Sequence, residues 1–460
     1  MYGDEKIINE TQADGFGGDY AGLQINIMSL IYANEYIDES GIEKPLDPSK
    51  SEYSIECNGK KYCFSPSKVE EIDDFVLAAT NNHLRTMVRF IATTEALMNY
   101  AKMPQYLTYP GARDAYKTNP NDFSMTGFNT SNIKGMDYFA ALMEFLSERY
   151  SNGEHGYVQH WTFGNEIDFT GTWYTIDNYW KNNTTPSSDT YIEEFYRLLR
   201  VGKIAVGKYN ADANVYAPFT HYWDYKPTPA ENYDGRFSYK PREIVDGLAS
   251  RSRLQGNFMW GVEYHPYCST LPIADVITED YMHGLKTGYM SGDDTSRIVT
   301  YTNLEVLDSY LSRPEIKCNG KGRPLFLMES GVAANSNPIV QQQQAAIIGF
   351  AYLKMSLLDN LVANTYYKYI GNDGLMSFAL VESNREKHCG YYLLKDFGRL
   401  SMPEWNNKYS SYIGSCGFIS NEPNYLAVIN KVSKEFGTGY NFLDRYKEVY
   451  GEDEIYKSLI

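Results

Sequence analysis

Apolar and polar positions repeat along the chain with two periods, one typical of strands and one typical of helices. Residues 23–28 alternate apolar and polar side chains, which predicts a strand with one buried face. Residues 135–150 place apolar side chains three and four positions apart, which predicts an amphipathic helix. Because the two patterns alternate over most of the sequence, we expect an α/β protein.

The strand pattern recurs, and helical patterns separate most of the strands. Strands are predicted at residues 23–28, 84–92, 123–129, 157–163, 214–220, 258–264, 324–328 and 363–370. Helices are predicted at residues 67–80, 135–150, 191–209, 241–253, 303–311, 341–358 and 426–434. Strands and helices that alternate in one chain form a parallel sheet, and eight such units favour a closed (β/α)8, or TIM, barrel.

An open, doubly wound sheet is the alternative to the barrel. Its phosphate-binding loop needs closely spaced glycines directly after the first strand. The early glycines of this chain have a different spacing and precede that strand; they are Gly15, Gly17, Gly18 and Gly22. We therefore expect one catalytic barrel over residues 1–435, with extended loops at the carboxyl ends of its strands. A β-hairpin excursion near residues 51–65 and a helical tail over residues 436–460, packed on the barrel, complete the prediction.

Composition and charge limit the possible partners. The 460 residues are 43% hydrophobic and 22% charged, as in ordinary globular proteins. The net charge of −16 disfavours nucleic acid and anionic membrane surfaces as partners. No apolar run approaches the roughly 20 residues of a membrane span, and the first residues lack the pattern of a secretory leader. We expect either a cytoplasmic protein or an exported one whose leader has been removed, and we favour export.

The six cysteines are too few and too scattered for a disulfide framework. Cys57 and Cys63 flank an Asn-Gly pair, and a two-residue turn there pairs Cys57 with Lys60 and Cys63 with Ser54. The two sulfurs then do not face each other, so we expect free thiols. No CxxC or HExxH motif occurs, and the seven histidines lack metal-ligand spacing. We therefore expect neither a metal nor another cofactor.

Tyrosine is unusually frequent, with 42 residues in a chain that is 15% aromatic. A tyrosine needs a partner for its hydroxyl, so many tyrosines suggest half-exposed surfaces that are apolar and polar at once. Such surfaces suit sugar rings, which have flat C–H faces and a rim of hydroxyls. A tyrosine-lined protein interface, or a proteome rich in tyrosine, explains the same count.

Two glutamates directly follow strands that look buried. Glu166 ends the segment that begins at Tyr157, and Glu329 follows Pro324-Leu-Phe-Leu-Met328. The carboxyl ends of barrel strands form the catalytic face, where a glutamate gains no apolar contact. Either residue alone is equally well explained as a strand-end glutamate that pairs with a lysine or arginine. The two together suit glycosidic bond cleavage, in which one carboxyl protonates the leaving oxygen and the other meets the charge at the sugar carbon.

Three further residues lie beside these glutamates in the predicted barrel. Asn165 precedes Glu166, and its amide is placed to hold a sugar hydroxyl. His265 and Tyr267 end the strand before the one that carries Glu329. A hydrogen bond from the Tyr267 hydroxyl to Glu329 would keep this carboxylate ionised and oriented.

These residues resemble the retaining glycoside hydrolases of clan A, which are (β/α)8 barrels. Members of that clan carry Asn-Glu at the end of strand four, Glu at the end of strand seven and His-x-Tyr near strand six, which here read Asn165-Glu166, Glu329 and His265-Pro-Tyr267. The resemblance implies that Glu166 is the acid/base and Glu329 the nucleophile. The chain is also similar to an uncharacterised bacterial family of such barrels, from about residue 22 to 435. That similarity rests on Phe145-Leu-Ser-Glu-Arg-Tyr150, Trp161-Thr-Phe-Gly-Asn-Glu166, Tyr264-His-Pro-Tyr267 and Asn303-Leu-Glu-Val-Leu307.

The chain departs from the clan at two places. Where members have a tryptophan on strand eight as a floor for the sugar, this chain has Tyr366, Tyr367 and Tyr369. The arginine that supports the nucleophile in the clan corresponds to Arg89, which lies within a predicted strand and is equally explained as an ion-paired barrel residue. Aromatic residues near the ends of strands four and five are candidates for lining sugar subsites, although Trp161 is as well explained by core packing; they are Trp161, Trp173, Tyr174, Trp180 and Trp223.

The sequence therefore predicts a retaining glycoside hydrolase that acts on an oligosaccharide or polysaccharide. A carbohydrate-binding barrel without activity and a transglycosylase with the same two glutamates remain alternatives. A serine hydrolase is disfavoured because no Gly-x-Ser-x-Gly motif occurs. The predicted partner is a carbohydrate, and the sugar, the linkage and the oligomeric state stay open. The long loops at residues 93–132, 167–190 and 269–300 are expected to select the substrate.

Overall fold

A computed structural model describes residues 5–30, 53–92, 107, 109, 127–169, 187–228, 238–268, 270, 272–371 and 374–460. These residues form two compact units. Unit A comprises Asp19–Thr220 and Lys226–Glu263. Unit B comprises Met1–Gly18, His221–Tyr225 and Tyr264–Ile460.

The described strands are β1 (Tyr20–Asn26), β2 (Ser54–Cys57), β3 (Lys60–Cys63), β4 (Arg85–Ile91), β5 (His160–Phe163), β6 (Asn214–Phe219), β7 (Gly261–Tyr264), β8 (Leu325–Ser330) and β9 (Leu361–Tyr366). The described α-helices are α1 (Glu5–Ala13), α2 (Pro66–Asn81), α3 (Ile133–Arg149), α4 (Ser188–Tyr209), α5 (Pro241–Leu254), α6 (Val276–Glu279), α7 (Glu305–Leu311), α8 (Pro338–Met355), α9 (Cys389–Asp396), α10 (Met402–Tyr409), α11 (Tyr425–Phe436), α12 (Phe442–Tyr450) and α13 (Glu454–Lys457).

In unit A the sheet follows the chain, with the strand order β1-β4-β5-β6-β7. The pairs β1–β4, β4–β5 and β5–β6 are parallel. In the described part of the chain, helices α2, α3, α4 and α5 lie in turn between successive strands. Helix α3 shows how the sequence sets these bounds, because the side chain of Asn132 accepts a hydrogen bond from the Lys134 amide at its start.

In unit B, β8 pairs in parallel with β9, and helix α8 connects the two strands. Both units thus repeat parallel strands that lie side by side in chain order, each followed by a helix. A doubly wound sheet reverses its strand order, whereas a (β/α)8 barrel does not. The predicted α/β fold class of the TIM-barrel type is therefore confirmed. No helix in the described part of the chain is long and apolar enough to cross a membrane.

The strand predicted at residues 123–129 is wrong as a member of the sheet. β4 pairs directly with β5, with Met87 opposite His160 and Phe90 opposite Phe163, so no strand lies between them. Of the predicted strand, only residues 127–129 lie within the described part of the chain, and Phe128 forms an isolated bridge there. Local alternation does not determine which strand becomes a sheet neighbour, because pairing is decided by contacts distant in sequence.

The predicted hairpin has the expected register. β2 and β3 are antiparallel, with Cys57 opposite Lys60 and Ser54 opposite Cys63. The turn residues Asn58 and Gly59 both have positive φ, as a two-residue hairpin turn requires. Both cysteines are free thiols, as are the other four.

Helices α9 and α10 were not predicted, nor was α1. The start of α10 has a readable signal, since Ser401 and Glu404 form a capping box. In the predicted tail, α12 and α13 are helical, and the hydroxyl of Tyr450 bonds to Ser356 at the end of α8. The division into a barrel over residues 1–435 and a tail stays a prediction.

Candidate active site

Arg89, a residue of β4, contacts the segment that follows β5. Its side chain is fully buried and donates one hydrogen bond to Oδ1 of Asn165 at 2.8 Å. A second guanidinium nitrogen lies 2.9 Å from Oε1 of Glu263 on β7, whose side chain is also fully buried. Arg89 is therefore both ion-paired within the barrel strands and bonded to the residue that precedes Glu166. Its relation to the proposed nucleophile stays a prediction.

The hydrogen bond from Arg89 fixes the orientation of the Asn165 amide. Because its oxygen accepts from the guanidinium, its nitrogen is the group that remains as a donor. Asn165 is itself buried, with 5% of its surface exposed. The amide of Asn165 is therefore a preorganised donor beside Glu166.

Glu166 has a strained backbone. Its φ is +44°, in the left-handed region that residues with a side chain rarely adopt, and Gly164 two positions earlier has a φ of +91°. The carbonyl of Glu166 accepts from the Phe169 amide at 2.9 Å, and the Ile167 amide bonds to Pro218 at the end of β6. Strain of this kind costs about 1–3 kcal/mol and concentrates at functional sites. The half-buried Glu166 is thus held in its turn by surrounding contacts.

Asp168, which the sequence analysis did not identify, is completely buried two residues after Glu166. Its two oxygens accept from the amide and the hydroxyl of Thr220, at 3.0 and 2.5 Å. Burial raises the pKa of Asp168 to about 7; the bonds from Thr220 oppose this, and the charge of Glu166 adds to it. Nothing in the sequence distinguishes this aspartate from a solvent-exposed loop residue.

The sequence analysis also did not identify Glu263, although its position in the sequence indicates a buried charge. It is an acidic residue inside the apolar strand Gly261-Val-Glu-Tyr264, as Arg89 is a basic residue inside β4. A charge within a buried strand needs a partner of opposite sign. The pairing of these two residues was therefore readable from the sequence.

Glu329 lies within β8, one residue before its end, and so belongs to the strand that it was predicted to follow. The side chain is 16% exposed, whereas the other residues of β8 are buried. Oε2 of Glu329 lies 3.4 Å from Nδ1 of His265, which is completely buried. Within unit B, the structure thus brings together two of the predicted site residues.

Tyr267 lies in an aromatic cluster next to His265. Its ring centroid is 6.3 Å from that of His265, 5.1 Å from that of Phe378 and 6.4 Å from that of Tyr367. Tyr367 is one of the three tyrosines predicted to take the place of the tryptophan of the clan. The prediction that the Tyr267 hydroxyl orients Glu329 stays a prediction.

The structure places both candidate tryptophans that it describes in the interior. Trp161 is buried and stacks on Phe90, with ring centroids 5.9 Å apart. Trp223 is buried edge-on against Tyr310, at 4.9 Å. Of the alternatives for Trp161, the structure thus favours core packing. Trp173, Tyr174 and Trp180 lie outside the described residues.

Within either unit taken alone, the described residues contain no group of three His, Cys, Asp or Glu side chains that could hold a metal ion. Unit A offers the carboxyl groups of Glu166 and Asp168 and the amide of Asn165, and unit B offers the carboxylate of Glu329 and the imidazole of His265. These groups transfer protons, attack electrophilic carbon and bind hydroxyls. Glu166 belongs to unit A and Glu329 to unit B, and their action as a pair remains a proposal.

Residues 33–418 match the model of a protein family described as "Family of unknown function (DUF5722)". The match covers most of the 460 residues. The chain belongs to this family. The predicted resemblance to an uncharacterised family is thereby confirmed, over a somewhat shorter range than expected. A comparison with curated proteins gives no match.

Three of the solved structures to which this DUF5722 member is similar are glycoside hydrolases by their own descriptions. A family 39 glycoside hydrolase from Bacteroides cellulosilyticus WH2 is 14% identical with a TM-score of 0.45, and the match covers 85% of this chain and 59% of that one. A monomeric beta-xylosidase from Caulobacter crescentus CB15 is 12% identical with a TM-score of 0.43, covering 86% and 64%. The beta-glycosidase from Thermosphaera aggregans is 12% identical with a TM-score of 0.47, covering 86% and 85%.

The chain spans less than two thirds of the length of the first two of these proteins. Their TM-scores are below 0.5, so the assignment of the fold rests on the strand order and helices of the chain itself.

Proposed function

We propose that the chain is a retaining glycoside hydrolase in which Glu166 is the general acid/base and Glu329 the nucleophile. The observation that carries the proposal is the backbone conformation of Glu166. A half-buried glutamate is kept in a left-handed turn, directly after an asparagine that a buried arginine anchors. A backbone held in this region by its surroundings gives the carboxyl of Glu166 a fixed direction.

The mechanism has two displacements. In the first, Glu166 gives its proton to the glycosidic oxygen while a carboxylate oxygen of Glu329 attacks the sugar carbon, so that a covalent ester forms and the leaving alcohol departs. In the second, Glu166 takes a proton from water, the water oxygen attacks the same carbon, and Glu329 is released as a carboxylate. This chemistry requires the two carboxyl groups to be about 5–5.5 Å apart.

The neighbouring residues support these steps. The nitrogen of Asn165 donates to a hydroxyl of the sugar bound at the reaction centre, because its oxygen is engaged by Arg89. His265 contacts Oε2 of Glu329 and holds the carboxylate in one orientation. The substrate is an oligosaccharide or polysaccharide, and a transglycosylase would use the same steps with an alcohol in place of water.

The test compares Glu166→Gln and Glu329→Gln on two kinds of substrate. Aryl glycosides with good leaving groups need little protonation, so Glu166→Gln should slow natural oligosaccharides far more than aryl glycosides. Glu329→Gln should abolish turnover of both, because no covalent intermediate forms. Asp74→Asn, a change at an exposed position of α2, serves as the control and should match the wild type.

Azide provides a second readout. It should rescue Glu166→Ala with retained configuration and Glu329→Ala with inverted configuration, as read by NMR of the product. Equal losses on both substrate types for both variants, without rescue, would show that the roles are wrongly assigned. Binding of glycans by the wild type without any turnover would instead indicate a carbohydrate-binding barrel.

A further inference from the structure

A short antiparallel ribbon in unit B extends from His221. Tyr222 pairs with Ile298, the Trp223 amide donates to the carbonyl of Arg297 at 2.9 Å, and the Val299 amide donates to His221 at 2.9 Å. The hydroxyl of Tyr264, at the end of β7, bonds to the carbonyls of both His221 and Tyr222. The ribbon is therefore fastened to the end of the strand that leads to His265.

Aromatic rings form a continuous track along this ribbon. The ring of Tyr222 lies 4.5 Å from that of His221 and 5.9 Å from that of Tyr225, and Tyr225 lies 5.7 Å from Tyr289. All four residues are partly exposed as whole residues, whereas the imidazole of His221 is removed from solvent. Burial lowers the pKa of His221 to about 4, and the nearby His265 contributes to this. The track therefore begins near His265, the residue that contacts Glu329.

Arg297 ends the track. Its guanidinium lies over the ring of Tyr225 at 4.0 Å and over that of Tyr289 at 4.7 Å, while the residue as a whole is exposed. Among the residues that the structure describes, no carboxylate lies within ion-pair distance of this guanidinium, although acidic residues outnumber basic ones by 58 to 42. Stacking orders a guanidinium and leaves its N–H edge open, which suits an anion with two oxygens.

Arg313 shows the ordinary arrangement for comparison. It lies over the ring of Tyr310 at 4.6 Å, but it is neutralised by Asp294 at 3.0 Å. Stacking on tyrosine thus occurs in this unit together with an acidic partner. Arg297 stacks on two tyrosine rings, but none of the carboxylates that the structure describes pairs with it.

We propose that Tyr222, Tyr225 and Tyr289 bind a further sugar residue of the substrate and that Arg297 binds an anionic group on it. The anion is a carboxylate of a uronic acid or a sulfate ester, so the substrate class is an acidic glycan. This inference rests on the proposed function for its substrate, but it concerns a separate group of residues. The net charge of −16 repels such a glycan, so a local cation that no described carboxylate neutralises decides its binding.

The test measures binding by calorimetry in the Glu329→Gln background, so that no bond is cleaved. The probes are matched pairs of oligosaccharides: oligoglucuronate, oligogalacturonate and oligomannuronate, each beside its methyl ester, and a sulfated galactan fragment beside its desulfated form. At least one acidic member should bind about tenfold more tightly than its neutral partner, with a preference that shrinks as salt rises. The uronate pairs and the sulfate pair separate the two sources of charge.

Variants assign the preference to Arg297. Arg297→Gln should remove it and leave the affinity for the neutral member unchanged, whereas Arg297→Lys should keep part of it, since charge remains without the fork. Arg313→Gln is the matched control and should behave as the parent protein. Tyr225→Ala should weaken both members of a pair. Equal affinity for both members of every pair, or a preference that survives Arg297→Gln in a folded variant, would overturn the proposal.

Hydrolysis assays on the wild-type protein keep the two proposals distinguishable. Turnover of neutral glycosides together with no charge preference refutes the anion subsite and leaves the hydrolase intact. A charge preference that depends on Arg297, in a protein that cleaves no glycoside, supports the subsite and refutes the hydrolase.

Discussion

Arg89 and Asn165 are joined by a hydrogen bond of 2.8 Å between buried side chains, so the residue that precedes Glu166 is positioned from the interior of the sheet. Arg89 belongs to β4, and Asn165 follows the neighbouring β5. The same guanidinium is ion-paired with Glu263 on β7. One side chain therefore connects a structural ion pair with the proposed catalytic turn.

Arg89→Ala should strongly destabilise the protein. It leaves the carboxylate of Glu263 buried without its ion-pair partner, which costs about 3–5 kcal/mol. Glu263→Gln introduced into Arg89→Ala should recover part of this loss, because a neutral amide is less costly to bury. Urea unfolding of the two single variants and the double variant gives the coupling energy. A double variant whose loss equals the sum of the single losses would contradict the pairing.

The strain at Glu166 predicts that a glycine variant at this position is more stable than an alanine variant, which is the reverse of the usual order within a helix. Glycine adopts a positive φ without steric cost, so Glu166→Gly should be more stable than Glu166→Ala by about 1 kcal/mol. At Asp74, an exposed position within α2, the order should be the ordinary one, with glycine less stable by about 1 kcal/mol. Unfolding in urea measures all four variants. Glycine being the less stable residue at both positions would show that Glu166 is unstrained.

The contact between His265 and Glu329 predicts a loss of rate rather than of substrate binding. His265→Ala removes a contact that orients the carboxylate of the nucleophile, so kcat should fall by about tenfold or more while KM changes little. His283, an exposed residue 3.9 Å from Glu279, provides a matched histidine–glutamate pair on the surface, and His283→Ala should leave both constants unchanged. A parallel rise in KM without a fall in kcat would place His265 in substrate binding instead.

The fold was largely predictable because the βα pattern is local. The Cys57–Lys60 register followed from a two-residue turn, and apolar runs predicted the strand that precedes Glu166 and the strand that contains Glu329. The prediction of a sheet strand at residues 123–129 was wrong, because alternation along a segment does not determine which strands it pairs with. In the structure, β4 pairs directly with β5.

The supporting residues of the candidate site were less predictable. Asp168 and Arg297 acquire their chemistry from partners distant in sequence, one from burial against Thr220 and the other from two tyrosine rings. Neither residue lies in a motif. Only the pair of Arg89 and Glu263 was readable, since both interrupt apolar strands with charge.

Asp168 predicts a specific dependence of stability on pH. Burial raises its pKa from 3.8 to about 7. Between these values the folded protein holds a proton that the unfolded chain releases, so the free energy of unfolding falls as pH rises from about 4 to about 7 and levels off above that. Three pKa units correspond to about 4 kcal/mol at most.

Asp168→Asn should remove this slope. The asparagine does not titrate, yet its oxygen still accepts from the Thr220 amide, as the protonated aspartate does. The difference in unfolding free energy between variant and wild type should therefore shift in favour of the variant as pH rises from 4.5 to 8, as measured by urea unfolding at each pH. Asp212→Asn, at an exposed position before β6, should keep the wild-type slope. A difference for Asp168→Asn that stays constant over this range would mean that Asp168 is ionised in the folded protein throughout, and that Thr220 alone compensates its burial.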